Sequence, residues 1–558
     1  MFHGAFQVRF RNSFTSVFHS DAAFCYFRNM TPPIPPETHV FFDRAGDCHI
    51  GIVGGGTAGW MSAATLKRRL GCRVTVVESS QIPSIGVGEA TIPAMIDWLH
   101  NMGIDEDEFM RRTGATFKLG IRFDDWVEPQ HRYWHPFGNC GGTIDGLDLV
   151  HHWNHAKQAG WIAPSVAYTD FSLQTRMCEQ ARGPRDQTGR CVLDNYAYHL
   201  DAGRLAVFLR EIALAEGVEH RVGDVVGARC DRDGNLNEVF VENQASLVAD
   251  LYIDCSGFAS VLIDRAMHSG WTDWSSQLLC DRAVVCRKRP DFDSTSPLRP
   301  YTISTGMNAG WSWQIPLQEN TGCGYVYSSA HIGDDDARQE LSRLIGVDED
   351  DTDFRTLGMR VGMRPNGWVG NCVAIGLSSG FIEPLESTGI FLVQRALDEL
   401  VECGRAELFN ARMNEVYCQT RDFVLMHYVV SRRRDTAFWR DAATVELPSS
   451  LARLLEVYQR EGHVLLPDHA PTFAEANHHF ILTPAGITPG RRFANCDMSQ
   501  PEMREVTTEI LESVVQQHHQ LVAKFASHRR CLELITEPPP PLPPQGLSPF
   551  LAVEILCS

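Results

Sequence analysis

The sequence predicts a mixed α/β fold (α/β with α+β character): a nucleotide-binding core, an inserted mixed segment near residues 85–230, and a helical C-terminal region. Three observations predict it. A β-turn-α-β unit opens the body of the chain at about Cys48. Strand-like apolar runs follow at 249–254 and 371–375. Beyond about residue 404 the apolar residues take up a helical period. The organisation expected is an N-terminal extension at 1–47, a core with substrate-site segments at 48–440, a mainly helical region at 441–536, and a proline-rich tail at 537–558.

In the opening unit, 48–53 (CHIGIV) reads as a short strand. Gly54-Gly55-Gly56-Thr57-Ala58-Gly59 is the turn, a helix runs to about Leu70, and a second strand, 72–78 (CRVTVVE), ends on Glu78. The spacing is G-x-G-x-x-G. Gly54 permits the tight turn, Gly56 lets backbone approach a pyrophosphate, and Gly59 lets the helix pack on the strand. Thr57 and Ala58 stand at the helix start, where unpaired N–H groups face an anion. Glu78 is placed to accept from ribose hydroxyls and to repel a 2′-phosphate. The unit marks a Rossmann-like dinucleotide site, against the alternative of an ordinary glycine turn, and leaves FAD and NAD open.

Farther on, the strand at 249–254 closes on Asp254-Cys255-Ser256-Gly257. The strand at 371–375 passes through a glycine- and serine-rich turn into a helix from about Gly389 to Cys403. Further helical runs are expected at 405–433, 448–462 and 501–530. Pro538 to Pro544 holds six prolines in seven residues, which sustains neither helix nor ladder. At the other end Phe2, Phe6, Phe10, Phe14 and Phe18 recur every four positions beside Arg9 and Arg11. This is either a targeting or membrane-surface helix or sequence upstream of a start at Met30, and it lacks the continuous apolar run of a secretory signal.

Composition narrows the function classes. Fifty basic residues against 69 acidic ones give a formal net charge of −19, which disfavours nucleic acid as a partner. No apolar run is long enough to suggest a membrane span. The 17 cysteines are never spaced C-x-x-C, so neither a zinc ribbon nor a disulfide scaffold is indicated, and a reducing, cytoplasmic compartment is expected. No metal site is expected: His151 and His155 stand four apart without an evident third ligand. Gly376-Leu377-Ser378-Ser379-Gly380 fits the nucleophile elbow G-x-S-x-G, but runs directly into a different block.

That block is Phe381-Ile382-Glu383-Pro384-Leu385-Glu386-Ser387-Thr388-Gly389, F-x-x-P-x-x-S-x-G with a P-L-E-S-T-G core. Gly310-Trp311-Ser312-Trp313-Gln314-Ile315-Pro316 reads W-x-W-x-I-P, with both tryptophans on one side of a strand. With Gly86-Val87-Gly88-Glu89-Ala90-Thr91, Phe117-Lys118-Leu119-Gly120 and Asp435-Thr436-Ala437-Phe438-Trp439, these stretches resemble the flavin-dependent halogenases, specifically the tryptophan-halogenase-like group, over about residues 48–440. The Asp254 segment resembles the second flavin contact of FAD-dependent monooxygenase-like folds, which favours FAD.

The resemblance implies an FAD-binding monooxygenase-type core. A separate NAD(P)H-flavin reductase would supply FADH2. By the same resemblance, O2 and the reduced flavin would give a C4a-hydroperoxide, chloride or bromide would attack it, and the resulting hypohalous acid would travel to the substrate. Lys118 would be the catalytic lysine and Glu386 its acidic partner. Lys118 could act as an ammonium bonded to the acid or as a haloamine, and Glu386 could take the proton lost from the ring. Thr388 and Gly389 would meet the halide. Leu377, Ile390 and Val225 would line the flavin, with Trp311, Trp313 and Pro316 close to it. The Gly86–Thr91 stretch would be a strap over the flavin. His135-Pro136-Phe137-Gly138 resembles the segment whose His and Phe sandwich an indole. No Trp follows Trp439, and 471–490 differs from the family's C-terminal substrate segment, so an indole, a phenol or a larger tryptophan-like compound is as well suited as free tryptophan. A homodimer stays open. The alternatives are a flavin-dependent aromatic monooxygenase and a catalytically silent flavin-binding protein.

Overall fold

A computed structural model describes residues 48–81, 88–144, 146–289, 297–350, 352–467, 471–489 and 501–536. The N-terminal extension, Gly86 and Val87 of the strap, and the proline-rich tail lie outside the described residues.

In chain order the elements that build the site are β1 (His49–Val53), α1 (Thr57–Leu70), β2 (Arg73–Glu78), β3 (Gly88–Ala90), β4 (Thr116–Lys118), β5 (Gly120–Asp124), β6 (Arg132–Pro136), α2 (Leu149–Gln158), β7 (Ala197–Asp201), α3 (Ala202–Ala215), β8 (Glu219–Val222) and β9 (Leu251–Asp254). They continue with β10 (Arg282–Lys288), β11 (Thr302–Gly306), β12 (Gly310–Pro316), β13 (Thr321–Tyr327), β14 (Arg355–Gly358), β15 (Trp368–Val369), β16 (Cys372–Ala374), α4 (Gly389–Cys403), α5 (Ala406–Val429), α6 (Ser449–Glu461), α7 (Glu475–Leu482), α8 (Pro501–Val522) and α9 (His528–Thr536).

The nucleotide core is a six-stranded sheet in the order β8-β2-β1-β9-β16-β15. Its first five strands are parallel and β15 is antiparallel. Parallel strands are buried on both faces, which is why Ile50, Ile52, Val74 and Val76 form an unbroken apolar interior. The glycine turn, the end of β2 and the Asp254 turn therefore meet at the carboxyl edge of this sheet, the usual ligand crevice of open α/β sheets.

A second, seven-stranded sheet runs β14-β10-β13-β12-β11-β5-β6. It carries the W-x-W strand in its interior and the His135 strand at its edge. A small three-stranded sheet, β3-β7-β4, ties the strap to the lysine segment, with Lys118 opposite Ala197 and Glu89 opposite Leu200. Gly88 lies against the β12–β13 pair: a Cβ there would stand 3.3 Å from Gly322 and 3.4 Å from Ile315.

The C-terminal region is helical as expected, with one correction. The run expected at 501–530 breaks after Val522. Phe525 and Ser527 form a short strand paired with Asp186 and Arg182, and a new helix starts at His528. Phe525 and Ala526 are buried in that pairing; an available strand edge outweighs the local helical period.

The Asp435–Trp439 motif acts as a fastening. Arg433 grips the Asp435 carboxylate at 3.0 and 2.7 Å and donates to the carbonyls of Asp125 and Gly306. Thr436 caps the short helix Ala437–Ala442 and donates to the Asn308 carbonyl, while the Trp439 indole donates to the Met307 carbonyl at 2.8 Å. The β11–β12 turn, and so the W-x-W strand, is held in place from behind.

Candidate active site

At the dinucleotide end, Gly54 has φ +114°, and a Cβ there would lie 2.2 Å from the Cys255 carbonyl oxygen. A Cβ on Gly59 would lie 1.8 Å from the Gly54 carbonyl. Gly56, in contrast, faces open space, with nothing within 4 Å of a Cβ. The first turn of α1 has no side-chain cap, so its N–H groups are presented to that space. Glu78 lies directly beside Gly55, and His220 on β8 holds the Glu78 carboxylate through Nε2 at 2.9 Å. These residues fit a dinucleotide with a free ribose diol: an open anion cradle and an acid at the end of β2. Asp254 serves inwardly. Its buried carboxylate accepts from the Ser256 hydroxyl and from the N–H groups of Ser256, Leu262 and Ile263, shaping the second turn. Val225, at the start of the Val225–Cys230 strand, is half-buried against the small apolar cluster of Val53 and Val77.

A Cβ at Gly55 would stand 2.2 Å from Glu78 Cδ. Gly55→Ala is therefore expected to displace the carboxylate, weakening FAD binding about tenfold, roughly 1.4 kcal/mol, without unfolding the protein. Titration of the apoprotein with FAD, followed by flavin fluorescence, checks this.

The segment 376–390 joins the two ends of the site. Gly376 (φ +79°) comes so close to α1 that a Cβ would lie 2.8 Å from Ala58 Cβ. Leu377 follows in a short 3₁₀ turn, and Ile390 is buried at the start of α4. At the segment's other end Ser387, a non-glycine residue at φ +61°, turns the chain between Glu386 and α4. Thr388 Oγ1 is buried without a partner among the described residues, and Gly389 opens α4 with no atom within 4 Å of a Cβ.

Lys118 meets this turn. Its side chain is fully buried; Nζ donates to Ser387 Oγ at 2.8 Å and to the Thr91 carbonyl at 3.2 Å, and it stands 4.9 Å from the centre of the Phe137 ring. Burial pushes its ammonium down to about 7, against the opposing pull of Glu386. Glu386 is equally enclosed. His135 Nδ1 lies 2.8 Å from its Oε2 and His427 Nε2 lies 2.8 Å from its Oε1. Burial alone would push this carboxyl up; the His135 and His427 imidazoles overcome it and hold the group down at about 2. Lys118 and Glu386 are thus brought within electrostatic reach of one another, while the close contacts of the carboxylate are to imidazoles.

The tryptophans of the W-x-W strand share one face, with ring centroids 5.9 Å apart. Trp311 donates its indole N–H to Glu383 Oε2 at 2.7 Å, and the Tyr428 hydroxyl donates to the same oxygen at 2.8 Å. Burial pushes the Glu383 carboxyl up to about 7. Trp313 packs flat against Gly324, and its indole N–H is buried without a partner among the described residues. The carbonyl of Pro316 accepts from Thr116, two residues before Lys118, at 2.7 Å.

On the other side of Lys118, His135 and Phe137 are both buried. The His135 ring is flanked by Phe423 of α5 and Phe480 of α7, at 5.9 and 5.7 Å. Phe473 stacks on Phe423 at 3.8 Å, and His478 meets the same ring edge-on at 5.1 Å. The segment 471–489 thus supplies phenylalanine and histidine to this wall. His427, Tyr133, Asn477 and His220 were not singled out in the sequence; each is a lone polar residue whose partner lies on a distant element. Among the described residues no group of three His, Cys, Asp or Glu side chains is placed to hold a metal, and no helix is long and apolar enough to cross a membrane. His151 lies near His463 and His479. A separate cleft of about 320 Å³, lined by Asn308, His331, Glu340 and Phe438 among others, contains none of the groups around Lys118.

Comparison with known proteins identifies the family. The family model described as tryptophan halogenase matches residues 49–500. The chain is 36% identical over 451 residues to a 7-chloro-L-tryptophan 6-halogenase of Kutzneria sp. (strain 744), covering 75% of this chain and 85% of that protein. Among solved structures, a flavin-dependent halogenase from Xanthomonas campestris superposes with a TM-score of 0.82 at 34% identity, over 89% of this chain and 99% of that one. BrvH, a flavin-dependent halogenase from Brevundimonas sp. BAL3, gives 0.80 at 33%, over 88% and 99%. The family-model match along most of the chain, the curated relative and the structural matches, together with the parallel-sheet dinucleotide crevice, place this protein in the flavin-dependent tryptophan halogenase family.

Proposed function

We propose that the protein halogenates an electron-rich aromatic compound of indole or tryptophan type, with Lys118 and Glu386 at the reacting end. The observation that carries this reading is the fully buried Lys118, held by Ser387 of the same segment that touches the glycine turn through Gly376. Bound FAD, reduced by a separate NAD(P)H-flavin reductase, supplies with O2 the oxidation of chloride or bromide to hypohalous acid. Thr388 and Gly389 offer an unpartnered hydroxyl and an open helix N-terminus to the halide.

Lys118 spends two donors on Ser387 and Thr91. As an ammonium it keeps a third N–H for hypohalous acid, which raises the electrophilicity of the halogen. The Phe137 face and the Glu386 charge both favour that ammonium. Glu386 remains ionised and stabilises the positive charge that builds on the ring as halogen adds. A protonated arene is acidic enough to surrender its proton even to so weak a base. Each carboxylate oxygen retains a lone pair beyond its imidazole contact.

The pH dependence follows from the sign of the lysine shift. Below about 7 Lys118 is charged, and above it the amine is neutral. If the ammonium is the working form, the single-turnover halogenation rate falls as pH rises through about 7; a haloamine mechanism makes it rise. Rapid-quench measurement with prereduced flavin separates the two.

The reading is tested by incubation with a flavin reductase, NADH, NaBr or NaCl, and indole, tryptophan and phenols, analysed by mass spectrometry. A bromine isotope pair on an aromatic product supports it. An oxygen mass gain without bromine would establish an aromatic monooxygenase instead.

A further inference from the structure

The orientation of the hydrogen bonds around Glu386 is set from outside the reacting residues, at the N-terminal turn of α7. The Ala474 backbone N–H can only donate, and it donates to Asn477 Oδ1 at 2.8 Å. That fixes which end of the Asn477 amide is which. Its NH2 group therefore faces His135 Nε2, at 2.9 Å, and this ring nitrogen must be an acceptor. A neutral imidazole accepting at Nε2 carries its proton on Nδ1, and His135 Nδ1 is the atom 2.8 Å from Glu386 Oε2. On the opposite side the ionised Glu386 can only accept, so His427 Nε2, 2.8 Å from Oε1, carries the N–H, and His427 Nδ1 accepts from the Tyr133 hydroxyl at 3.3 Å. In both rings the nitrogen left to carry the proton is the one 2.8 Å from a carboxylate oxygen. Tyr133, His135, His427 and Glu386 are all buried, so water does not substitute for a missing donor.

We propose that Asn477 is a positioning residue of the halogenation step: by donating to His135 Nε2 it selects the Nδ1–H tautomer that holds Glu386 in place beside Lys118. This rests on the reading that Lys118 and Glu386 carry halogenation. It gives the C-terminal segment 471–489 a direct line to the reacting carboxylate, since a substrate that displaces the α7 N-terminus releases the tautomer as well.

Asn477→Asp is the discriminating variant. It keeps the shape and the acceptor for Ala474, and an acid in the first turn of α7 suits the helix dipole, but it sets a carboxylate against His135 Nε2, which draws a second proton onto the ring and leaves an imidazolium whose charge opposes that of Glu386. With indole, NaBr, reductase and NADH, kcat is expected to fall at least tenfold with KM for indole within twofold and the melting temperature within about 2 °C. In ¹⁵N-histidine-labelled protein, the His135 Nε2 resonance, assigned by its loss in His135→Gln, is expected at the unprotonated position in the native enzyme and at the protonated one in Asn477→Asp. Asn477→Ala removes the donor without adding charge, leaves Glu386 alone to orient the His135 ring, and is expected to lower kcat. A native-like kcat in Asn477→Asp, or a protonated Nε2 in the native enzyme, overturns the proposal; the second readout needs no substrate. Lys118→Ala is run alongside. If that variant keeps bromination, the underlying reading fails; if it loses bromination while Asn477→Asp retains it, only the positioning role fails.

Discussion

Lys118→Ala is expected to lower bromination of indole by at least about 1,000-fold, roughly 4 kcal/mol of transition-state stabilisation, while FAD binds as before. The argument is geometric. Nζ is buried between the Ser387 hydroxyl, the Thr91 carbonyl and the Phe137 ring, and no other lysine or arginine contact with Glu386 or Ser387 is present among the described residues. Removing the side chain leaves no cation to hold hypohalous acid at the ring. The glycine cradle and Glu78 lie at the other end of the 376–390 segment, so flavin affinity is untouched.

Lys118→Met extends the test. A lysine whose folded pKa is lowered to about 7 is under strain while charged: the unfolded chain binds its proton more tightly, so stability increases as pH rises from about 7 toward the ordinary lysine value. An apolar replacement of similar length removes that cost. Lys118→Met is expected to be inactive and to melt roughly 2 °C higher near pH 7, with the advantage shrinking at higher pH. Calorimetry at two pH values checks the sign.

The second large effect is expected at Glu386. In Glu386→Gln one amide oxygen can still accept from one imidazole, but the amide NH2 confronts the N–H of the other. One histidine must change tautomer: His427 does so by reversing its bond with the Tyr133 hydroxyl, whereas His135 would lose its bond from Asn477. The negative charge opposing the burial of Lys118 is lost as well, so the lysine becomes neutral at still lower pH. Together these are expected to reduce kcat about 100-fold at pH 7.5, near 2.7 kcal/mol, and to move the alkaline limb of the single-turnover profile toward acid. Glu386→Asp keeps the charge and is expected to recover part of the loss. A Glu386→Gln profile with the native alkaline limb would show that the carboxylate does not influence Lys118.

The parts of this molecule legible in the sequence are those written locally. The G-x-G-x-x-G turn and its strands follow from backbone sterics within thirty residues, and the helix after Gly389 was readable from its period. Lys118 carries no local signal; a lone lysine reads as a surface charge, and only its place in a family segment marked it. Asn477 was invisible because its partner lies 342 positions away and an asparagine near a helix start ordinarily reads as a cap. It is a cap as well: the contact with Ala474 serves the helix and the contact with His135 serves the site. His427, buried in the last turn of α5, has no spacing that distinguishes it from a core histidine. The break after Val522 was missed because helical periodicity does not report that Arg182–Asp186 offers an open strand edge.

The most direct test of the account is a comparison of native enzyme and Lys118→Ala with reductase, NADH, O2 and NaBr, indole as substrate, and a β-diketone in enough excess over indole to capture all free hypobromous acid. The account predicts brominated indole from the native enzyme, and from Lys118→Ala no brominated indole but brominated trap in amounts matching the bromide-dependent use of NADH. Brominated indole formed by Lys118→Ala at the native rate would contradict it.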